Sequence, residues 1–347
     1  MKLQELFAEL FARRPGLTIA GILRGCEAGP LQSAGVMQVI PLLSDYEDQN
    51  FVSPASALVS TAGYGNMVFE NPGSRLLLVP CHAGYSISQA AQDHAMAHAG
   101  LVEAGLSRTF ETAMCIQQSQ GGYIAKSQYK LMILPYALRE QALSKRGQKA
   151  YNKLWEDLSS FNQSFGLPAQ GQLASFLRQF RQELDLFVAE FERLPRQLGA
   201  IVLVAGEVVG IERAPSATYF AGVWEALIRE CYGSLAIAAG RGEALPETRV
   251  PLDLAGVSTL AGLEQALTQA RQREDTLVRQ AVRELLDQPF ARDREAACAG
   301  YQLETLENAQ FSGQALLHGE SVVYASLFTS QRWRQERPRR QAAAFSI

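Results

Sequence analysis

The sequence predicts an α+β fold: a mixed or antiparallel β-sheet core of hairpins with a helical middle region. Three observations predict it. The first third holds short apolar runs bounded by turn residues. The middle shows apolar residues at three- and four-residue spacing. Hairpin signatures then follow. These clusters do not alternate regularly, which argues against a parallel α/β sheet.

Each element has its own warrant. In residues 1–14, Leu3, Leu6, Phe7, Leu10 and Phe11 recur at helical spacing and predict an amphipathic helix. Glu5 and Glu9 within that pattern argue against a secretory signal. Its apolar face is expected to pack on the protein body, with partner docking as the alternative. Residues 17–23, 36–43 and 75–81 are apolar runs that predict strands. Ala28-Gly29-Pro30, Gly63-Tyr64-Gly65-Asn66 and Asn71-Pro72-Gly73 supply turns. Residues 139–161 and 172–193 predict helices. The second carries a core stripe of Leu173, Phe176, Leu177, Phe180, Leu184, Phe187, Val188 and Phe191. Residues 200–211 predict a hairpin turning at Gly206-Glu207. Residues 220–239 and 259–286 predict helices, and residues 314–328 a hairpin turning at His318-Gly319-Glu320. The expected organisation is a single domain over 1–347 with a helical insertion at about 139–193. The alternative is a β-rich part, 1–135, and an α+β part, 136–347.

Composition narrows the function classes. A hydrophobic fraction of 47% and a charged fraction of 19% fit an ordinary soluble protein. A net charge of −3 provides no global attraction to nucleic acid or to an anionic membrane. No apolar run approaches the roughly 18–20 residues of a membrane span. The five cysteines, Cys26, Cys81, Cys115, Cys231 and Cys298, are odd in number and widely spaced. Free thiols in a reducing cytoplasm are therefore expected. The tail at 331–340 places five arginines around Trp333 and is the one segment with a phosphate-binding composition. A solvated terminus is the expected reading there.

The densest chemistry lies in residues 92–123. They hold Gln92-Asp93-His94, His98, Leu101-Val102-Glu103-Ala104-Gly105, Cys115-Ile116-Gln117 and Gly121-Gly122-Tyr123. The stretch resembles a domain family associated with ADP-ribosylglycohydrolases and with rhodanese- and phosphatase-superfamily proteins. In that family the corresponding motifs are Gln-Asn-Arg, a Pro-Ala-Gly turn, Cys-Val-Glu and Gly-Arg-Trp. The order of later motifs agrees. Residues 148–155 resemble a Gln-x-x-Val-Trp helix. Residues 198–202 and Gly210-Ile211-Glu212 resemble a Gly-Ala-Val strand and a Gly-Leu-Asp turn. Residues 224–235 resemble a helix ending in Ser-Tyr, and 314–328 the terminal hairpin. The resemblance spans the chain from about residue 35. His94, Gln117, Gly122-Tyr123 and Glu212 depart from the family residues, and the first three changes remove or weaken charge. An amide at 117 cannot act as a general base.

The resemblance implies a link to NAD and ADP-ribose processing through gene neighbourhoods, without an established reaction. The ligand-binding candidates are Gln92, Asp93, His94, Gln117, Gly121, Gly122, Tyr123 and Glu212. A Gly-Gly turn lets backbone amides approach an anion, and a tyrosine can stack on a base. No cofactor is expected. His94 and His98 would converge on a metal only in a helix. In the strand that the resemblance implies they stand about 13 Å apart, so no metal is expected. Cys115 sits among apolar neighbours and reads as an inert thiol. Neither a P-loop nor a Gly-x-Ser-x-Gly elbow is present.

The expected function is a non-catalytic binding or accessory protein of a bacterial-type stress or conflict pathway linked to NAD/ADP-ribose metabolism. Its partner would be a nucleotide or ADP-ribose-like ligand, or another protein. An enzyme acting on such a substrate is the alternative, with Asp93, His94, Glu103 or Glu111 as acid–base groups and Tyr123 on the ligand. A structural assembly subunit, built on helix 1–14 or helix 259–286, is the third reading.

Overall fold

The computed structural model describes residues 17–86, 93–119, 130–241, 253–255 and 257–330. The expected helix at 1–14 and the basic tail lie outside these residues. The described chain opens with a single helical turn, α1 (Ile19–Ile22), where the apolar run predicts a strand. The Thr18 hydroxyl accepts from the Gly21 N–H at 3.1 Å and caps the turn. Ile19 and Ile22, three residues apart, then bury on one side.

Strands β1 (Glu27–Ala28), β2 (Gln32–Ala34) and β3 (Met37–Leu43) follow. Next come short strands: β4 (Phe51–Val52), β5 (Leu58–Thr61), β6 (Met67–Glu70), β7 (Leu76–Val79) and β8 (Ala83–Ser86). After them lie β9 (His94–Ala95), β10 (Gly100–Val102), β11 (Ser107–Phe110), β12 (Met114–Cys115) and β13 (Lys130–Ile133). The helical middle holds α2 (Tyr136–Ser144), α3 (Trp155–Ser164), α4 (Leu173–Gln179) and α5 (Arg181–Glu190). The hairpin β14 (Gln197–Val204) and β15 (Glu207–Arg213) leads into α6 (Ala217–Ala226), a π-helical turn (Leu227–Tyr232) and α7 (Gly233–Gly240). Helix α8 (Leu260–Arg283) precedes a meander of β16 (Ala291–Cys298), β17 (Tyr301–Glu307), β18 (Phe311–His318) and β19 (Ser321–Thr329). The fold is α+β, with antiparallel hairpins and a helical middle, as expected.

Among the described residues the largest sheet has nine strands, ordered β1-β3-β14-β15-β19-β18-β17-β16 with β2 on β3. All its pairings are antiparallel. Its central strands are buried on both faces, because side chains alternate sides along a strand. Ala200, Val202 and Val204 of β14 join one core with Phe220, Trp224 and the short strands. Ile201 and Leu203 face the other way, onto a second core with Val278 and Val282 of α8. Three smaller sheets, β10-β7-β4, β11-β6-β5 and β12-β9-β8-β13, pack beside the first core. The pairing of β4 with β7 is parallel. No helix among the described residues is long and apolar enough to cross a membrane.

Several boundaries differ from expectation for physical reasons. The predicted helix at 139–161 is two helices, because Gly147 disfavours helix and the Lys145 ammonium ties the intervening loop to the Lys153 carbonyl at 2.9 Å. The helix at 172–193 divides at Phe180, whose ring joins Phe165 and Phe176 in a third core. The β14–β15 turn falls at Ala205-Gly206, both with positive φ (50° and 77°), one residue before the expected Gly206-Glu207. The β16–β17 hairpin escaped prediction. Its first strand is exposed and carries Arg292, Asp293, Arg294 and Glu295, which hide any alternation.

Candidate functional site

The four-stranded sheet brings part of the 92–123 signature together. His94 lies in β9, opposite Cys115 on one side and Tyr85 on the other. The segment is extended, as the resemblance implies, so the helical geometry needed for a His94–His98 metal pair does not form. Asp93 and Gln117 meet directly: the Gln117 Oε1 accepts from the Asp93 N–H at 3.1 Å. The Ile116 N–H donates to the Asp93 carbonyl at 2.9 Å. Gln117 thus clamps backbone to backbone, a task an amide performs without a charge.

The His94 ring is buried and its Nε2 accepts from the Gly65 N–H at 3.4 Å. That bond places the ring proton on Nδ1. Gly65 has φ +73°, and a Cβ there would meet Tyr151 at 2.9 Å, so a side chain would part the two segments. His98 lies beyond β9, with Nδ1 on the Ala99 carbonyl and Nε2 3.3 Å from the Thr112 hydroxyl. Burial lowers its pKa. Among the described residues no group of three or more His, Cys, Asp or Glu is placed to hold a metal. Cys115 is buried, and desolvation raises its pKa, so it remains a thiol. Its Sγ donates to the Gln117 carbonyl at 3.1 Å.

Outward from this corner lies a groove of about 660 Å3, lined by Gln118, Gln148, Asn152, Lys153, Trp155 and Ser160, among others. Its walls follow from local bonds. The Trp155 indole N–H donates to the Cys115 carbonyl at 3.1 Å, which fixes the ring against the signature strand. Gln118 and Gly171 exchange two bonds, N–H to carbonyl at 2.9 Å and N–H to side-chain Oε1 at 2.8 Å. A Cβ on Gly171 would sit 2.8 Å from the Trp155 Cβ and 2.9 Å from its Cγ, so the chain passes close to the base of this side chain because residue 171 is glycine. Tyr151 bridges Trp155 and Tyr64, at centroid distances of 5.5 and 5.1 Å.

Lys153 supplies the groove's cation. Its Nζ donates to the Thr112 carbonyl at 2.8 Å and to the Gln148 carbonyl. Burial, then the charge of Lys145, pulls its pKa down to about 8. Lys145 is itself held by Asp157 at 2.5 Å.

Glu212 lies in a different place. Its Oε1 accepts from Arg139 Nη1 at 2.9 Å and from the Tyr232 hydroxyl at 2.7 Å. Arg139 is fully buried. It also donates to His82 Nδ1 at 3.2 Å and to Ser326 Oγ at 2.5 Å, and it lies 4.7 Å over the Phe328 ring. Burial favours a neutral Arg139, but Glu212, with smaller contributions from Cys231, Tyr232 and Cys81, outweighs it and raises the pKa. His82 is held neutral by burial and then by Arg139. Burial pushes the Cys81 and Cys231 thiols up to about 12. Tyr232 reaches Glu212 from the π-helical turn across Gly210, where a Cβ would stand 1.8 Å from its oxygen.

The signature therefore divides. Asp93, His94 and Gln117 share one corner, and Glu212 belongs to a sealed centre with which that corner shares no hydrogen bond among the described residues. Gln92, Gly121, Gly122 and Tyr123 lie outside the described residues. The acid–base candidates Glu103 and Glu111 are exposed and separately engaged. Glu103 accepts from Cys298 at 3.4 Å. Glu111 pairs with Lys149 at 2.5 Å, and that bond lowers its pKa. Sequence reasoning missed Lys153 and the Arg139–His82–Tyr232 network. Gln148 and Trp155 bound the motif at 148–155, which was the available signal. That motif is a turn leading into α3, where the resemblance implies a helix throughout.

The chain matches the model of ARPP-1, the ARG and Rhodanese-Phosphatase-superfamily-associated Protein domain, over residues 25–328. It belongs to the ARPP-1 family. The match takes in the signature corner, the groove and the Glu212 centre alike. No curated protein and no solved structure matches the chain.

Proposed function

We propose that this ARPP-1 chain is a non-catalytic binding or accessory protein that takes a nucleotide or ADP-ribose-like ligand in the Trp155 groove. The observation that carries the reading is the junction of that groove with the signature strand, through the Trp155–Cys115 bond and the Gln118–Gly171 pair. The lining has the chemistry for such a ligand. An indole offers a face for a base or ribose. Gln118, Gln148 and Asn152 offer amides for sugar hydroxyls, and Lys153 offers a cation for phosphate. The groove's volume falls within the range of small-molecule sites. The titratable signature groups are engaged elsewhere: His94 and Cys115 in sheet packing, Glu212 in an ion pair. We place the protein in the cytoplasm, where its five free thiols would persist, and in a pathway of NAD or ADP-ribose metabolism.

The test is thermal denaturation of the pure protein with ADP-ribose, NAD and AMP, for the wild type and for Asn152→Ala and Lys153→Met. A ligand at one hundred times its Kd stabilises the fold by about 2.7 kcal/mol. A rise in Tm that the variants lose supports the groove. A rise that they keep in full places the ligand elsewhere, and turnover of the ligand makes the protein an enzyme.

A further inference from the structure

We propose that Lys153 is a nucleophilic amine that captures the aldehyde of a reducing sugar in the groove as an imine. The inference rests on the groove being the binding site and names the class of its ligand more closely.

With its pKa drawn down to about 8, Lys153 exchanges between the ammonium that can meet phosphate and a neutral amine, and the geometry accommodates the amine. An unprotonated lysine has two N–H donors and one lone pair. The Thr112 and Gln148 carbonyls accept two bonds from Nζ, which leaves the third direction for the lone pair. Lys153 and Gln148 both line the groove. Partial burial disfavours the ammonium at this position, and Lys145 adds a smaller push in the same direction. Lys145 cannot substitute, because Asp157 holds it as a charged pair. Lys149 is exposed and paired with Glu111. The amide and hydroxyl lining of Gln118, Asn152 and Ser160 favours a polyhydroxylated aldehyde over an apolar one.

The step balances without a co-reactant. The Nζ lone pair forms a bond to the aldehyde carbon, and the C=O π electrons move to oxygen. One amine proton passes to that oxygen, giving a carbinolamine. Loss of the hydroxyl with the second amine proton releases water and leaves the C=N bond. Water reverses the sequence, so the capture is reversible and leaves the sugar unaltered.

The experiment incubates the full chain with D-ribose 5-phosphate and cyanoborohydride, which reduces the imine to a stable adduct, and maps labelled peptides by mass. One dominant adduct at Lys153, at least about tenfold faster than at Lys149, is expected. Lys153→Arg should lose it. Labelling spread over exposed lysines, with Lys153 no faster than Lys149, overturns the proposal. AMP, whose ribose carries no free aldehyde, separates the two ideas. A thermal shift with AMP that Asn152→Ala abolishes, together with no trapping at Lys153, leaves the groove standing and removes the imine. Neither shift nor trapping removes both.

Discussion

The Glu212 centre and the Lys153 groove hold comparable chemistry in opposite surroundings. Each has a cation, aromatic rings and polar side chains, and each touches a segment of the family signature. At the Glu212 centre every guanidinium nitrogen of Arg139 donates to a partner inside the protein, and its Cys and His neighbours are driven to their neutral forms. At the groove, Lys153 spends two of its donors on the Thr112 and Gln148 carbonyls and lines an open cavity. A charge that is sealed and fully bonded fixes a fold. One that is half-buried at a groove wall remains available to a ligand. Family motifs therefore need not mark one site; here Glu212 reads as architecture, and the Gln117–Gln118 segment borders the groove proposed as a binding surface.

Breaking the sealed centre should have the largest effect. Arg139→Met leaves Glu212 buried without its counter-charge and should cost about 3–5 kcal/mol in urea unfolding. The double variant Arg139→Met, Glu212→Leu should recover most of that loss, because the unpaired charge is gone. Next comes Gly210→Ala. Its Cβ would overlap the Tyr232 ring and hydroxyl, and a cost of at least about 1–3 kcal/mol is expected.

The π-helical turn offers a pH test. Glu230 is buried, with Oε1 on Arg229 at 2.6 Å and no hydrogen-bond partner for Oε2. Burial outweighs Arg229 and raises its pKa from 4.5 to about 7. The folded state thus holds this proton more tightly than the unfolded state. The associated stability is complete below 4.5 and is lost as pH rises through 7. Glu230→Gln should flatten that fall and stabilise the protein at pH 8 by an amount on the order of 3 kcal/mol at most. Denaturant midpoints at pH 5.5 and pH 8 for both proteins check it. The smallest stability effect belongs to the groove: Asn152→Ala, an exposed change, should stay within about 0.5 kcal/mol of wild type while weakening ligand binding.

The architecture was legible wherever hydrophobic periodicity and turn residues agreed. The β14–β15 and β18–β19 hairpins, helix α8 and the core positions Leu173, Phe176, Phe180 and Leu184 all follow from pattern alone. The exposed strand β16 did not, because its charges erase the alternation on which the inference depends. Residues 17–23 misled for the converse reason. A short apolar run fits a strand or a buried turn, and only the Thr18 cap decides between them. Of the site, the contact of Asp93 with Gln117 joins two segments that the signature held in order but could not bring into contact. The motif at 148–155 marked the segment of Lys153 but not its character. Its character comes from two backbone carbonyls and from Lys145, and spatial neighbours of that kind leave no spacing rule in a sequence.

The most direct test compares the two regions in one assay: isothermal titration of ADP-ribose into wild type, Trp155→Ala and Tyr232→Phe. Trp155→Ala is expected to abolish binding, while Tyr232→Phe, though less stable, is expected to bind with wild-type affinity. Lost binding in Tyr232→Phe with full binding in Trp155→Ala would place the ligand at the Glu212 centre and contradict the division proposed here.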